Sequence, residues 1–391
     1  MDPLQQLALY HAMATARRLE TVEHDLSARG EAFFFVSSAG HEANAALALH
    51  LVADDHLHCH YRDKALLIAR GLSPKAFLDT LLCKHDGPSR GRQMSPFLSD
   101  AALNILPMTT PVANQALQAC GVAAAVKHKA SQPIVLCALG DGSTQQGEYL
   151  EAVAEAVRSS LPVLFLVENN RWAISTSTPG KTFFSLPNGP ASDLFGVPIE
   201  HVDGRDAAGA FTAFGEIVAR MRRERQPAIV LFDVERIHSH TNADDQRIYR
   251  TRAEIEYAAT HGDPLARFRN YLLTQGVSET ELDAIDEQVA EDLTHYENAS
   301  VAGAEPEATF TAKQSIPVEL SHPARECRGH EGGTRLTMRD ALRDVLHHHL
   351  LTDERVTLLG EDIEDPKGDV FGVTRGLSTE FPERVKNSAL T

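Results

Sequence analysis

The chain has 391 residues, 43% of them hydrophobic, which supports one large core and a smaller appended unit. A formal net charge of −17 works against broad attraction to nucleic acid or anionic lipid, so the expected partners are small molecules or proteins, with no nucleic acid and no membrane. Cys59, Cys83, Cys120, Cys137 and Cys327 form no CxxC pair, and no stretch reaches the roughly 20 apolar residues of a membrane span, so a cytoplasmic setting is expected.

In chain order, Met1 to Gly30 reads as an amphipathic surface helix, because Gln5, Gln6, His11, Arg17, Arg18 and Glu20 interrupt its apolar positions. Gly40 to Arg70 predicts helices flanking a turn near Asp54 and Asp55, and the Gly-, Pro-, Ser- and Arg-rich stretch Gly87 to Pro111 predicts a long loop. Pro133 to Leu139 and Pro162 to Val167 are short apolar runs that read as buried parallel strands. Between them, Leu150, Val153 and Val157 have helical spacing, which completes a right-handed βαβ unit. Pro227 to Val234 adds a further strand, so the expected class is α/β, a mostly parallel sheet with helices on both faces. Asp263 and Pro264 open another helix that Gly276 ends, and Ser278 with Glu281 has the capping-box pattern for the next. From Asn298 to about Gly333 the composition turns to Ala, Glu, Pro, Gly and Ser, as in a linker. Leu336 to Leu351 then predicts a helix and Val356 to Leu359 a strand, the start of a second α/β unit.

The strongest chemical signal is Gly140-Asp141-Gly142 after one strand, then 26 residues, then Asn169-Asn170 after the next. Parallel strands end on one edge of a sheet, so Asp141 and Asn170 should meet in the crevice where such sheets bind ligands. A carboxylate and an amide oxygen are hard ligands suited to magnesium or calcium. Gly142 and Ser143 would offer backbone N–H groups to a diphosphate. Taken alone, Asp141 reads first as a helix N-cap, and Asn170 at the second strand end reverses that preference. His238 and His240, two apart, would point the same way in an extended segment. They could bind zinc, though no third ligand is evident nearby, or simply face solvent. His347, His348 and His349 read as the exposed end of a helix.

The Gly-Asp-Gly to Asn-Asn spacing resembles the thiamine diphosphate signature, and the match extends further. Tyr61-Arg62, Gly91-Arg92-Gln93-Met94, Thr110-Pro111-Val112, the run from Asn169 to Thr176, and His238-Ser239-His240 are similar, in order, to motifs of the cofactor-binding subunit of 2-oxo-acid dehydrogenases, the decarboxylating first component of those complexes. The resemblance covers roughly Gly40 to Asn298. It implies the thiamine-diphosphate-binding fold, with thiamine diphosphate and Mg2+ as cofactors. By position, Asp141, Asn170 and the Trp172 carbonyl would hold the metal. Tyr61, Arg62, Gly142, Ser143 and His240 would lie at the diphosphate, and Thr110 and Val112 at the aminopyrimidine. His238 and His240 would serve catalysis and acyl transfer. Glu168 departs from relatives that carry Arg or Cys there, and Thr241 lies where some carry a phosphorylated serine.

The tail is similar to the opening of the partner half of these enzymes through Leu336 to Ala341, Leu359 to Asp362 and Gly372 to Leu377, which makes Glu361 a further catalytic candidate. The resemblance thus implies a cofactor-binding domain at 1–297, a linker at 298–334 and, at 335–391, the truncated start of a pyrimidine-binding domain. The family's activating glutamate would fall just beyond Thr391, so this chain alone is expected to be inactive. The implied activity is oxidative decarboxylation of a 2-oxo acid with acyl transfer to lipoamide. Gly91 to Met94 and Ala173 to Thr176 favour a branched-chain substrate, as in 3-methyl-2-oxobutanoate dehydrogenase, over pyruvate, and acetoin-type enzymes stay open. The implied partners are a lipoyl-bearing acyltransferase and a dehydrogenase partner half or a second copy of the chain. The rival expectation is a non-catalytic fragment that only binds cofactor or partner chains. An unpaired chain should expose apolar surface and self-associate.

Overall fold

The computed structural model describes residues 1–307, 322–325 and 332–388. The chain divides into a first unit built on Met1–Glu305 and a second built on Pro306–Asn387.

The first unit opens with α1 (Pro3–Ala28), started by a complete capping box between Asp2 and Gln5. This helix is a wall of the core as much as a surface element, since Leu9, Tyr10, Met13, Leu19 and Leu26 are buried. Glu20 and Glu23 are buried as well. Glu20 accepts from the Ser38 and Ala39 N–H groups, and Glu23 pairs with buried Lys64, so neither acid bars burial. The short α2 (Ala45–Ala48) leads to β1 (His56–His58), a strand where the sequence predicted only a turn and flanking helices. Histidines at both its ends hid it. Next come α3 (Lys64–Arg70) and α4 (Pro74–Leu81). Residues 82–114 contain no helix and no strand beyond isolated bridges, as the loop expectation required.

The βαβ unit is present: α5 (Gln115–Val126), β2 (Val135–Gly140), α6 (Gly147–Arg158) and β3 (Val163–Asn169). Two small hairpins follow, β4 (Trp172–Ala173) with β5 (Thr176–Ser177) and β6 (Ser185–Leu186) with β7 (Gly189–Pro190). Then come β8 (Asp193–Leu194), β9 (Val197–Asp203), α7 (Ala207–Glu224) and β10 (Ala228–Asp233). The sheet order is β1-β2-β3-β10-β9-β8, parallel throughout except for edge strand β8. Successive residues of the central strands enter two separate cores, as the two-residue period of a strand dictates. Leu136, Ala138, Leu164, Leu166 and Val230 pack with α1, α3, α4 and α7. Val135, Cys137, Leu139, Phe165 and Leu231 pack with α5 and α6 on the other face. The protein therefore has the mostly parallel, doubly covered α/β architecture that was expected.

Three helices close the unit: α8 (Arg252–Thr260), α9 (Pro264–Thr274) and α10 (Glu279–Val301). Asp263 caps α9 as predicted; Ser278 caps α10 through the Glu281 N–H, without the return bond of a full capping box. Helix α10 runs past Asn298, where the composition turns linker-like, and ends only after buried Ser300, whose hydroxyl donates to Asp79. No helix among the described residues is long and apolar enough to cross a membrane.

The second unit contains α11 (Met338–Thr352), β11 (Leu358–Gly360), α12 (Leu377–Glu380) and β12 (Val385–Asn387). Its two strands are parallel, and its core is small: Leu350, Leu377 and Val385. His347, His348 and His349 lie on α11, partly or fully exposed, and His347 meets Glu380 at 2.8 Å.

Candidate active site

The carboxyl ends of β1, β2, β3 and β10 lie on one edge of the sheet, and nearly every predicted first-unit site residue follows one of those ends. Tyr61 and Arg62 leave β1, Asp141 to Ser143 leave β2, Asn170 and Trp172 leave β3, and His238 and His240 leave β10.

Register brings the two expected metal-binding segments together, because Gly140 pairs with Glu168 across β2 and β3. The Arg171 N–H donates to the Asp141 carboxylate, and a Cβ on Gly142 would lie 2.7 Å from the Ala173 Cβ, so the two turns interlock. Asp141 is buried and accepts from the Thr178 hydroxyl at 2.7 Å and the Gly142 N–H at 2.9 Å. The Gly142 N–H is thus engaged by the preceding carboxylate, not left for a ligand as predicted. Burial pushes the Asp141 carboxyl up, and these donors only partly offset it. A divalent cation is the natural complement of such a carboxylate. Asn170 accepts from the Trp172 N–H at 3.0 Å, which orients its amide oxygen and ties the third expected ligand residue to the second. Ser143, partly buried, continues the turn from Asp141.

Tyr61, Arg62 and His240 form a second group. The Arg62 guanidinium is 1% exposed, donates to the Ser37 carbonyl and meets His240 Nδ1 at 2.9 Å. It lies 5.1 Å from the centre of the Tyr61 ring, which stands edge-on to the His240 ring. Among the described residues Arg62 makes no ion pair, and its Nε has no hydrogen-bond partner. A buried guanidinium without a carboxylate suits a bound anion such as a diphosphate. Arginine can only donate, so His240 Nδ1 is the acceptor and the ring proton sits on Nε2.

The remaining expected residues are placed less centrally. His238 is largely exposed and 3.9 Å from Glu20; the chain bends at 238 and 240, so the same-side geometry of an extended pair does not apply. Thr110 and Val112 are exposed on the segment entering α5, which Gln115 anchors by donating to the Ala138 carbonyl at 3.0 Å. Glu361 is exposed in the second unit, directly after β11. Of the tail motif, Ala389, Leu390 and Thr391 lie outside the described residues, as does Cys327.

Sequence reasoning missed a buried polar layer beneath these turns. His41 and His60 both approach Glu168, at 2.7 and 3.3 Å, and Asn44 donates to Asp63 and Glu168. The signal was present: a lone acid ends the apolar run of β3, and a histidine directly precedes Tyr61.

Three relatives bear on these findings. The alpha 1 subunit of mitochondrial 2-oxoisovalerate dehydrogenase from Arabidopsis thaliana is 29% identical over 269 residues, which is 68% of this chain and 57% of that protein. The chain thus spans less than two thirds of that relative's length. The alpha subunit of 3-methyl-2-oxobutanoate dehydrogenase from Mycobacterium tuberculosis is 30% identical over 289 residues, 73% of this chain and 75% of that protein. The alpha subunit of acetoin:2,6-dichlorophenolindophenol oxidoreductase from Cupriavidus necator is 30% identical over 310 residues, 78% of this chain and 92% of that protein. Residues 10–309 match the family model described as the dehydrogenase E1 component, and with its relatives being alpha subunits, the chain belongs to that family.

Proposed function

We propose that the chain is the cofactor-binding half of a thiamine-diphosphate- and Mg2+-dependent 2-oxo-acid dehydrogenase, acting on a branched-chain 2-oxo acid and passing the acyl group to lipoamide on an acyltransferase component. The observation that carries this reading is the meeting, on one sheet edge, of a buried Arg62 that has no ion-pair partner among the described residues with the interlocked Asp141 and Asn170 turns. Family membership and the two branched-chain relatives support the substrate class.

Thiamine diphosphate, when bound, supplies the electron sink for decarboxylation. The chain's own residues bind and orient. Asp141, Asn170 and the Trp172 carbonyl hold the metal; Arg62, with Tyr61 and Ser143, receives the diphosphate; Thr110 and Val112 flank the aminopyrimidine. His240, its Nδ1 fixed by Arg62, presents an Nε2 proton. His238 stands at the exposed entrance, and Glu361 belongs to the partner-type second unit. A partner half and a cytoplasmic location complete the reading.

Calorimetric titration with thiamine diphosphate and Mg2+ tests the binding step; no heat at millimolar cofactor would sink it. Decarboxylation of 3-methyl-2-oxobutanoate, pyruvate and acetoin with an artificial electron acceptor, with and without a partner-type chain, tests substrate class. A preference for acetoin would move the chain to the class of its Cupriavidus relative.

A further inference from the structure

A cluster of buried titratable groups, His41, His60, Asp63 and Glu168, adjoins the turns after β2 and β3. Glu168 Oε1 accepts from Asn44 Nδ2 at 3.0 Å, and its Oε2 faces Nδ1 of His41 at 2.7 Å and Nδ1 of His60 at 3.3 Å. Asp63 accepts from Asn44 Nδ2 at 3.1 Å and from the His60 backbone N–H at 2.7 Å. Side-chain oxygen and nitrogen atoms of His60, Asp63 and Glu168 lie within 4.8 Å of one another. All four carboxylate oxygens already accept an N–H, so the cluster is a closed hydrogen-bonded layer. Burial, then the adjacent Glu168 charge, pushes the Asp63 carboxyl well above its usual range. Three side-chain nitrogens, from Asn44, His41 and His60, converge on the two Glu168 oxygens, the surroundings of an acceptor-only carboxylate. One ionised carboxylate thus serves two imidazoles.

The second ring nitrogens have different destinations. His41 Nε2 meets the Asn170 amide at 3.4 Å. His60 Nε2 is directed at the turn after β2: a Cβ on Gly140 would lie 3.5 Å from it and 3.9 Å from Ser143 Oγ. The His60 side chain is 7% exposed, and among the described residues its Nε2 makes no hydrogen bond. The groups facing the ring are Glu168, His41, Asp63, Arg62 and the Tyr61 ring, whose centroid is 3.9 Å away.

Resting on the thiamine diphosphate reading, we infer that His60 is a further diphosphate-binding residue, with Glu168 as the positioning residue that aims its Nε2 at the phosphate oxygens. A neutral ring that donates from Nδ1 to Glu168 has only a lone pair at Nε2, so donating to a phosphate oxygen requires a proton on both nitrogens. The imidazolium is then held between Glu168 and the diphosphate. Burial lowers the proton affinity of His60 in the free protein, whereas an adjacent diphosphate raises it. The ring therefore gains its second proton from solvent when the anion binds. Glu168 contributes to diphosphate binding through this ring and makes no phosphate contact of its own.

The test is calorimetry near neutral pH with thiamine diphosphate plus Mg2+ and, separately, inorganic pyrophosphate plus Mg2+. Each titration is run in two buffers of different ionisation enthalpy, so that heat reports proton uptake as well as affinity. The wild-type chain should bind both ligands and take up close to one proton. His60→Gln should bind both at least about ten-fold more weakly, with the uptake abolished. Glu168→Gln, which keeps the shape of that side chain and removes its charge, should lose most of the uptake. Wild-type binding with no proton uptake, or an uptake unchanged in His60→Gln, overturns the inference even where the variants are poorly folded. Failure of the wild-type chain to bind either ligand overturns the cofactor reading itself.

Discussion

Arg62 and His240, 178 positions apart in the chain, meet at 2.9 Å between a guanidinium nitrogen and the imidazole Nδ1. One residue leaves the first strand of the sheet and the other follows β10, yet the contact fixes both the tautomer and the direction of His240.

Because the Nε2 proton of His240 is positioned by a group that itself binds, the two residues should separate kinetically. His240→Ala is expected to lower turnover by about 100-fold, with the affinity for thiamine diphosphate changed only a few-fold. Steady-state assays with an artificial electron acceptor, paired with cofactor titration, measure both. A loss confined to cofactor affinity would assign His240 to binding alone.

Asp141 is the buried carboxylate of the expected metal site. Asp141→Asn keeps an oxygen to accept from Thr178 and removes the charge, so the fold should survive. Magnesium-dependent cofactor binding should weaken by about 100-fold. Titration at several Mg2+ concentrations reads this directly, and an undiminished Mg2+ dependence would remove Asp141 from the ligand set.

His58 gives a stability prediction. Burial, with a smaller contribution from His56, pushes its imidazole down to about 4, and both ring nitrogens are buried with no hydrogen-bond partner among the described residues. The unfolded chain titrates near 6.5, so the native state favours the neutral ring. The contribution is therefore complete above about pH 6.5 and is lost as pH falls toward 4, a change on the order of 3 kcal/mol. His58→Leu cannot protonate. Urea unfolding across that window should show wild type losing stability relative to the variant, and parallel pH curves would refute the assignment.

Gly40 lies at φ +98°, and a Cβ there would come within 1.8 Å of the Glu235 carbonyl oxygen. Gly40→Ala should cost about 3 kcal/mol or more and displace the neighbouring His41 from Glu168. Gly121, inside α5, has nothing within 4 Å of its Cβ position. Gly121→Ala should instead stabilise by about 0.5–1 kcal/mol. Denaturant titration of the two variants side by side checks both signs, and equal effects would contradict the local geometry.

Much of the frame was legible because it is written in local periodicity. The apolar runs that became β2, β3 and β10 and the punctuation of α9 by Asp263, Pro264 and Gly276 could be read within a few residues. The strand β1 was not, since His56 and His58 replace the usual aliphatic residues. Strand β9 was overlooked although Val197, Ile199 and Val202 are buried along it. The amphipathic reading of α1 held, but the depth of its buried face was not legible, because Glu20 and Glu23 look like surface charges until their partners at Ser37 to Ala39 and Lys64 are known.

The order of motifs along the chain determined which residues belong to the sheet edge, because parallel strands deliver their ends to one side whatever the helices between them do. Only the tertiary structure decided how those residues are used. That Arg62 is buried with no ion pair among the described residues, that it meets His240, and that Glu168 serves His41 and His60 all depend on contacts across more than a hundred positions or on burial. Proton location and charge pairing are set by neighbours in space within a few ångströms, and no spacing along a sequence encodes that distance.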